Sequence, residues 1–184
     1  METVKIDRTK KWTVEDYLLL GEMNTSCQLI NGELIISPAP TPYHQTISKR
    51  VFKLLDKAAE ISGDVFYAPI DLYIDKRNVI QPDLIYVSKE NVSIITNRGI
   101  EGVPDLVVEI ISPSNVFTDR NTKKKKYQEI GVKEYWIIDP GNRTLEIYTN
   151  IQEDQDTPHL YLVGEGLAIS TVLPQLQFNL KEIF

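Results

Sequence analysis

The run Pro104-Asp105-Leu106-Val107-Val108-Glu109-Ile110-Ile111 constrains the fold more than any other part of this chain. It is short, apolar and rich in β-branched residues, so it reads as a strand meant for the core and as the central strand of its sheet. In an extended chain side chains alternate between faces, so Asp105, Val107, Glu109 and Ile111 point one way and Leu106, Val108 and Ile110 the other. A lone charge in the middle of such a strand is costly unless it is paired. Glu109 therefore asks for a partner.

The rest of the chain supplies what surrounds this strand. Trp12 to Met23 reads as a helix, with Thr13 as N-cap, Asp16 three residues on, and Val14, Tyr17, Leu18 and Leu20 as an apolar stripe. "CQLINGELIIS" is a hairpin whose Asn31-Gly32 suits a type I′ turn. "SPAPTPY" is proline-rich and reads as a loop. A second helix is expected from His44 to about Ile61, with Ile47, Val51, Leu54, Leu55 and Ala58 at helical spacing and Gly63 closing it.

"DVFYAPI" and "DLYID" follow as one interrupted strand or a pair, then "VIQPDLIYVS" as another and "PDLVVEIIS" as the central one. A third helix is expected from about Thr118 to Ile130, with Gly131 just past its end. "EYWIID", a Pro140-Gly141-Asn142 turn and "TLEIYT" form a second hairpin, and the tail adds two short strands and a helical turn that Asn179 caps. The order helix, three strands, helix, strand predicts an α/β fold over residues 1–184 as one domain, with mixed pairing because some connections are short.

Composition excludes several classes. At 184 residues, 42% hydrophobic and 25% charged, the chain has the profile of a globular protein. The one cysteine, Cys27, excludes an intrachain disulfide and a Cys-based zinc site, so a reducing cytoplasm is the expected setting. No apolar run approaches a membrane span. The net charge of −6 speaks against a protein coated in positive charge, though not against a local basic site. No Gly-rich phosphate loop, nucleophile elbow or close histidine pair is present, and no aromatic-plus-basic platform is apparent.

Asp83 follows Pro82 in the apolar run "QPDLIYVS", and Glu109 follows two strand lengths later. Carboxylates aimed at one point from adjacent strands repel unless a cation lies between them. Magnesium suits such a site, because it takes oxygen ligands, keeps waters, and is held by one or two carboxylates plus a substrate phosphate. A metal so held polarises a phosphodiester and lowers the pKa of a bound water. A nearby lysine completes the set by stabilising charge in the transition state.

With these residues the sequence resembles the PD-(D/E)XK nuclease superfamily, and more narrowly the Uma family of restriction-type endonucleases. The narrower resemblance rests on "NGELIISPAPTPYH", "QPDLIYV", "PDLVVEIISPSN" and "DRNTKKKKYQEIGVKEYWIIDP". It implies a restriction endonuclease-like αβββαβ core, with an N-terminal helix–hairpin and a C-terminal β extension. It implies Asp83 and Glu109 as ligands of Mg²⁺, with Mn²⁺ as a substitute, and DNA as the partner of a homodimer. The superfamily's lysine, two residues after the strand acid, is here Ile111; the resemblance moves that role to Lys123 on the following helix. Tyr127 lies four residues further, on the same helical face.

Each residue also has an ordinary reading. Asp83 can be a strand-entry residue, and Glu109 can be salt-bridged to a buried Lys123. Asp105, nearer the strand start, reads as a structural or outer acid. The run Lys123 to Lys126 has the composition of a solvated helix face. Glu33 and His44 match positions that recur in the Uma-type pattern, as an added ligand or phosphate contact. Their ordinary readings are an exposed hairpin acid and a helix-terminal histidine. The expected function is a metal-dependent DNA endonuclease. The alternatives are a catalytically inactive DNA-binding or protein-interaction module on the same fold, and a hydrolase of another phosphoester.

Overall fold

The computed structural model describes residues 9–21, 25–112, 117–149 and 157–184. The strand that opened the sequence reading is β9, Leu106–Ile110, buried along its whole length. It lies inside a six-stranded sheet of order β12-β11-β10-β9-β6-β3. Here β3 is Gly63–Tyr67, β6 Leu84–Ser88, β10 Glu134–Asp139, β11 Thr144–Thr149 and β12 Leu160–Val163. Among the described residues of this sheet only β9 and β10 run parallel; the other neighbours are antiparallel, so the pairing is mixed as the short connections require.

The alternation of β9 separates two cores. Leu106, Val108 and Ile110 pack with Leu84, Tyr86, Trp136 and Ile138 beneath helix α2, Pro42–Ala59, which contributes Ile47, Val51 and Leu55. Val107 and Ile111 pack on the opposite face with Ile85, Tyr135 and Ile137, against Tyr127 of helix α3, Lys124–Ile130. This second core is shared with another sheet, of order β2-β1-β5-β4-β8-β7. Its members are β1 Cys27–Ile30, β2 Glu33–Ile36, β4 Leu72–Asp75, β5 Asn78–Ile80, β7 Ile95–Thr96 and β8 Gly99–Ile100. Glu109 thus points into an apolar layer covered by a helix.

Local signals account for most elements. Asn31 and Gly32, at φ 53° and 76°, make the left-handed pair that a type I′ turn needs between β1 and β2. Thr13 and Asp16 form a reciprocal capping box on α1, Val14–Leu18. That helix is shorter than its stripe predicted, because the chain turns at Gly21 with φ 66°; the expected end at Met23 lies outside the described residues. Helix α2 begins two residues before His44, with Thr41 as N-cap and Pro42 in the first turn, where a missing N–H costs nothing.

"VIQPDLIYVS" is not one strand but two in different sheets, β5 and β6, divided at Gln81-Pro82-Asp83. Pro82, lacking a ladder donor, marks the division. "DVFYAPI" and "DLYID", expected as one interrupted strand or a pair, are two strands, β3 and β4, and they lie in different sheets. The tail carries three strands rather than two among the described residues, β12, β13 (Leu167–Ile169) and β14 (Gln177–Asn179), before Asn179 caps the last turn.

Gly63 does not close α2, whose C-cap is Glu60; it starts β3. A Cβ there would stand 2.2 Å from the Val87 carbonyl oxygen and 2.8 Å from Ser88 Cα, both backbone. Gly63→Ala is therefore expected to push β3 off β6 and cost about 1–3 kcal/mol, the scale of overpacking. Urea unfolding with an unchanged midpoint would show that the two strands relax apart freely.

Candidate active site

Residues from four separate segments meet at the C-terminal end of β9. Asp83 sits just before β6, and its Oδ2 accepts the Ile110 N–H at 2.7 Å. His44, in the first turn of α2, places Nε2 3.0 Å from the Ile110 carbonyl oxygen and 3.5 Å from Asp83 Oδ2. The carbonyl can only accept, so that bond assigns the ring proton to Nε2. Burial pulls the His44 pKa down, but Asp83 and the Ile110 carbonyl outweigh it and the net shift is upward.

On the other face of β9, Glu109 is 2% exposed. Its Oε2 accepts from Lys123 Nζ at 2.8 Å and its Oε1 from the Tyr127 hydroxyl at 2.6 Å. Lys123 lies in a turn of wide, π-type helix, Thr118–Lys123, that leads into α3. Such turns recur at functional sites. This one puts Asp119 and Lys123 on the same buried side, with Asp119 Oδ1 3.0 Å from Lys123 Nζ. Among the described residues the buried His44 Nδ1 has no hydrogen-bond partner.

Among the described residues three acids, Glu109, Asp119 and the nearby Asp83, share two basic groups, Lys123 and, at Asp83, His44. Burial pushes the Glu109 pKa up to about 8 despite Lys123, with Asp119 and Asp83 adding to the rise. Burial raises Asp119 as well, again against the pull of Lys123. Desolvation opposes the charge on Lys123, but the two acids outweigh it and raise its pKa. The cluster is a charged lysine between carboxyl groups whose own ionisation burial opposes.

The sequence-predicted residues are not all brought together. Asp83, Glu109, Lys123, His44 and Tyr127 converge. Glu33 does not: it lies exposed at the start of β2, ion-paired with Lys11 at 2.7 Å. Asp105 is at the far end of the central strand, accepting from the Ser88 N–H at 2.8 Å and paired with Lys133. Of the lysine run, Lys124 covers the Tyr148 ring at 4.0 Å, Lys125 is exposed, and Lys126 pairs with Glu129. Asp119 belongs to this cluster although the sequence reading gave it no role; its signal was an acid one turn before the buried lysine.

A divalent cation fits this chemistry in part. The donors are hard oxygens, and among the described residues the acids outnumber the basic groups beside them. Among the described residues no three acidic, histidine or cysteine side chains form a ready-made cage. An ion held here would take one or two carboxylates and complete its shell with water and substrate, the usual habit of magnesium. Among the described residues no helix is long and apolar enough to cross a membrane.

Comparison with known proteins agrees with this architecture. A crystal structure of "a putative nuclease belonging to DUF820" from Anabaena variabilis superposes with a TM-score of 0.77. It covers 94% of this chain and 97% of its own at 20% identity, a likeness of fold. An uncharacterized protein of Synechocystis is 24% identical over 151 residues, which is 80% of this chain and 85% of that protein. The family model Uma2, described as "Putative restriction endonuclease", matches residues 14–181. A match over nearly the whole length settles the relationship, and the chain belongs to the Uma2 family.

Proposed function

We propose that this protein is a divalent-metal-dependent endonuclease that hydrolyses DNA phosphodiester bonds at the Asp83–Glu109–Lys123 site. The observation that carries the reading is the convergence of three acids, Asp83, Glu109 and Asp119, on Lys123 from separate segments at one strand end. Carboxylates brought so close repel unless protons or a cation neutralise them.

Asp83 and Glu109 would hold Mg²⁺ or Mn²⁺, which when bound supplies Lewis-acid polarisation of the phosphate and a water of lowered pKa. The chain's own groups do the rest. The Ile110 N–H and His44 fix the Asp83 carboxylate, and the Tyr127 hydroxyl fixes Glu109. Lys123, charged beside both acids, stabilises the negative charge that develops on the phosphate. Asp119 sets the lysine's orientation from the opposite side. Homodimerisation, which would let two such sites cut both strands, belongs to the same proposal.

One observation favours a second reading. Glu109 already has two satisfied partners and almost no exposure, as a structural ion pair would. On that reading the fold is a DNA-binding or protein-interaction module without catalysis. Supercoiled plasmid separates the two: nicking with magnesium or manganese and none in EDTA is expected, along with loss of nicking in Asp83→Asn and Glu109→Gln. Intact plasmid under all conditions, with folded protein, leaves the module reading. DNA binding is expected to weaken steeply with salt and strengthen with calcium, because phosphate contacts release counterions and a cation screens the acids. Affinity indifferent to both would argue against DNA as the partner.

A further inference from the structure

A groove of about 470 Å³ opens beside Asp83, between α2 and the end of β3. Gln45, Ser48, Lys49 and Phe52 line it from α2, Tyr67 from β3, and Asp83 closes one end. Its volume suits a small planar ligand. Positions 45, 48, 49 and 52 follow helical spacing and form one stripe of α2. Tyr67 is the last residue of the edge strand β3 and is 62% exposed. Its ring meets Phe52 edge to face, at 5.2 Å and 82°. Tyr67 lines the groove and stays largely exposed despite that contact.

Lys49 and Lys53, one turn apart and both exposed, form no salt bridge among the described residues. On a chain of net charge −6 they are a local cationic strip beside an acidic site. Lys57 carries the row one turn further along α2, with Asp56 and Glu60 beside it. The sequence reading found no aromatic-plus-basic platform, because Phe52 and the lysines lie on a helix while Tyr67 comes from a strand. The fold assembles one.

We propose that this groove takes one unpaired nucleobase, stacked on Tyr67, while Lys49 and Lys53 hold the adjoining phosphates. The preferred substrate is then single-stranded or locally unpaired DNA rather than uniform duplex. A base in a duplex has both faces covered by its neighbours and cannot stack on a side chain, whereas an unpaired base can. Aromatic stacking next to a cationic track is how sequence-tolerant single-strand binders gain affinity. The proposal rests on the nuclease reading for its cleavage consequence, but the groove itself can be tested by binding alone.

The test uses the full chain in EDTA, so that nothing is cut. Affinities for a labelled 12-nucleotide single strand and for the matching duplex are measured by anisotropy, and stacking is read with 2-aminopurine in the single strand. We expect at least ten-fold preference for the single strand and quenched 2-aminopurine fluorescence. Tyr67→Ala is expected to bring the single-strand to duplex ratio down about ten-fold and abolish quenching, and Tyr67→Phe to preserve both. The double variant Lys49→Ala, Lys53→Ala should reduce the salt slope by about 1.4, from 0.7 per phosphate contact; it decides the matter if Tyr67→Ala does not fold.

Equal affinity for the two forms, or a ratio and salt slope untouched by these variants, overturns the proposal and leaves Tyr67 as a cover for Phe52. The nuclease reading is judged separately, by cleavage with metal. A protein that quenches the probe but never cuts retains the groove and loses the nuclease reading; one that cuts while ignoring Tyr67 does the reverse.

Discussion

Lys123→Met is expected to lower the rate of metal-dependent DNA cleavage by about 100-fold, the scale of removing one electrostatic stabiliser of a transition state. Lys123 is 3% exposed, and its ammonium stands 2.8 Å from Glu109 and 3.0 Å from Asp119. No other cation of the described residues is placed to replace it at Glu109: Lys124 is committed to the Tyr148 ring and Lys126 to Glu129. Methionine keeps most of the stem volume, so the loss isolates the charge from the packing.

The same substitution has a cost in stability, because it leaves two buried acids without their cation. Breaking a buried pair in this way costs about 3–5 kcal/mol when the remaining charge cannot relax. Here the acids can take up protons instead, so the penalty is expected to be smaller at pH 5 than at pH 8. Rates are therefore compared on protein shown to be folded by circular dichroism at the assay temperature. Lys125→Ala, on the exposed side of α3, is the control and should cut like the parent. If Lys123→Met cuts as fast as the parent, Lys123 is a structural counter-ion only. The structure also changes what an acid-to-amide variant means. Repulsion between carboxylates suggests that Glu109→Gln stabilises the metal-free protein; with Lys123 bonded to Glu109, it instead removes one of the lysine's two counter-ions.

Much of this site was legible because strands alternate strictly. Period two put Glu109 on the Val107–Ile111 face, and the cost of a lone buried acid required a partner, which Lys123 supplies. The turns were legible for a similar reason, since Asn31-Gly32 and Gly131 are residues chosen by backbone conformation. The second sheet was legible only in its β1–β2 hairpin. Its strands are two to four residues long, too short for alternation to show, and only Pro82 signalled that one apolar run served two sheets. The π-type turn was also hidden, because Asp119 and Lys123 are spaced as an ordinary helix would space them. Tyr67 and Phe52 meet only after β3 returns alongside α2, and no local pattern encodes that meeting.

In EDTA the protein is expected to lose stability as pH rises from 5 toward 8, opposite to the trend of most acid-labile proteins. Glu109 has an unfolded pKa near the ordinary 4.5 and a folded value pushed up to about 8 by burial. A group whose folded pKa is raised binds more protons in the folded state between the two values. Its contribution is therefore fully present below the unfolded pKa and is lost as pH rises through the folded one. His44, raised by Asp83 and the Ile110 carbonyl against the pull of burial, acts in the same direction above its ordinary 6.5. Asp105 and Asp139, lowered by their partners against burial, lose their contribution only at acid pH, outside this window. Lys123, raised above its ordinary value, titrates above it. The slope from Glu109 alone is at most one proton, about 1.4 kcal/mol per pH unit. Urea midpoints across the range should therefore fall for the parent and fall less for Glu109→Gln. A cation bound at Glu109 needs the carboxylate ionised, so manganese binding at pH 7 should release close to one proton, read as a buffer-dependent heat in calorimetry. A rising or flat midpoint would mean that Glu109 is ionised in the folded protein at pH 5, held so by Lys123. Manganese would then bind without proton release, and the excess charge that supports the metal site would already be in place.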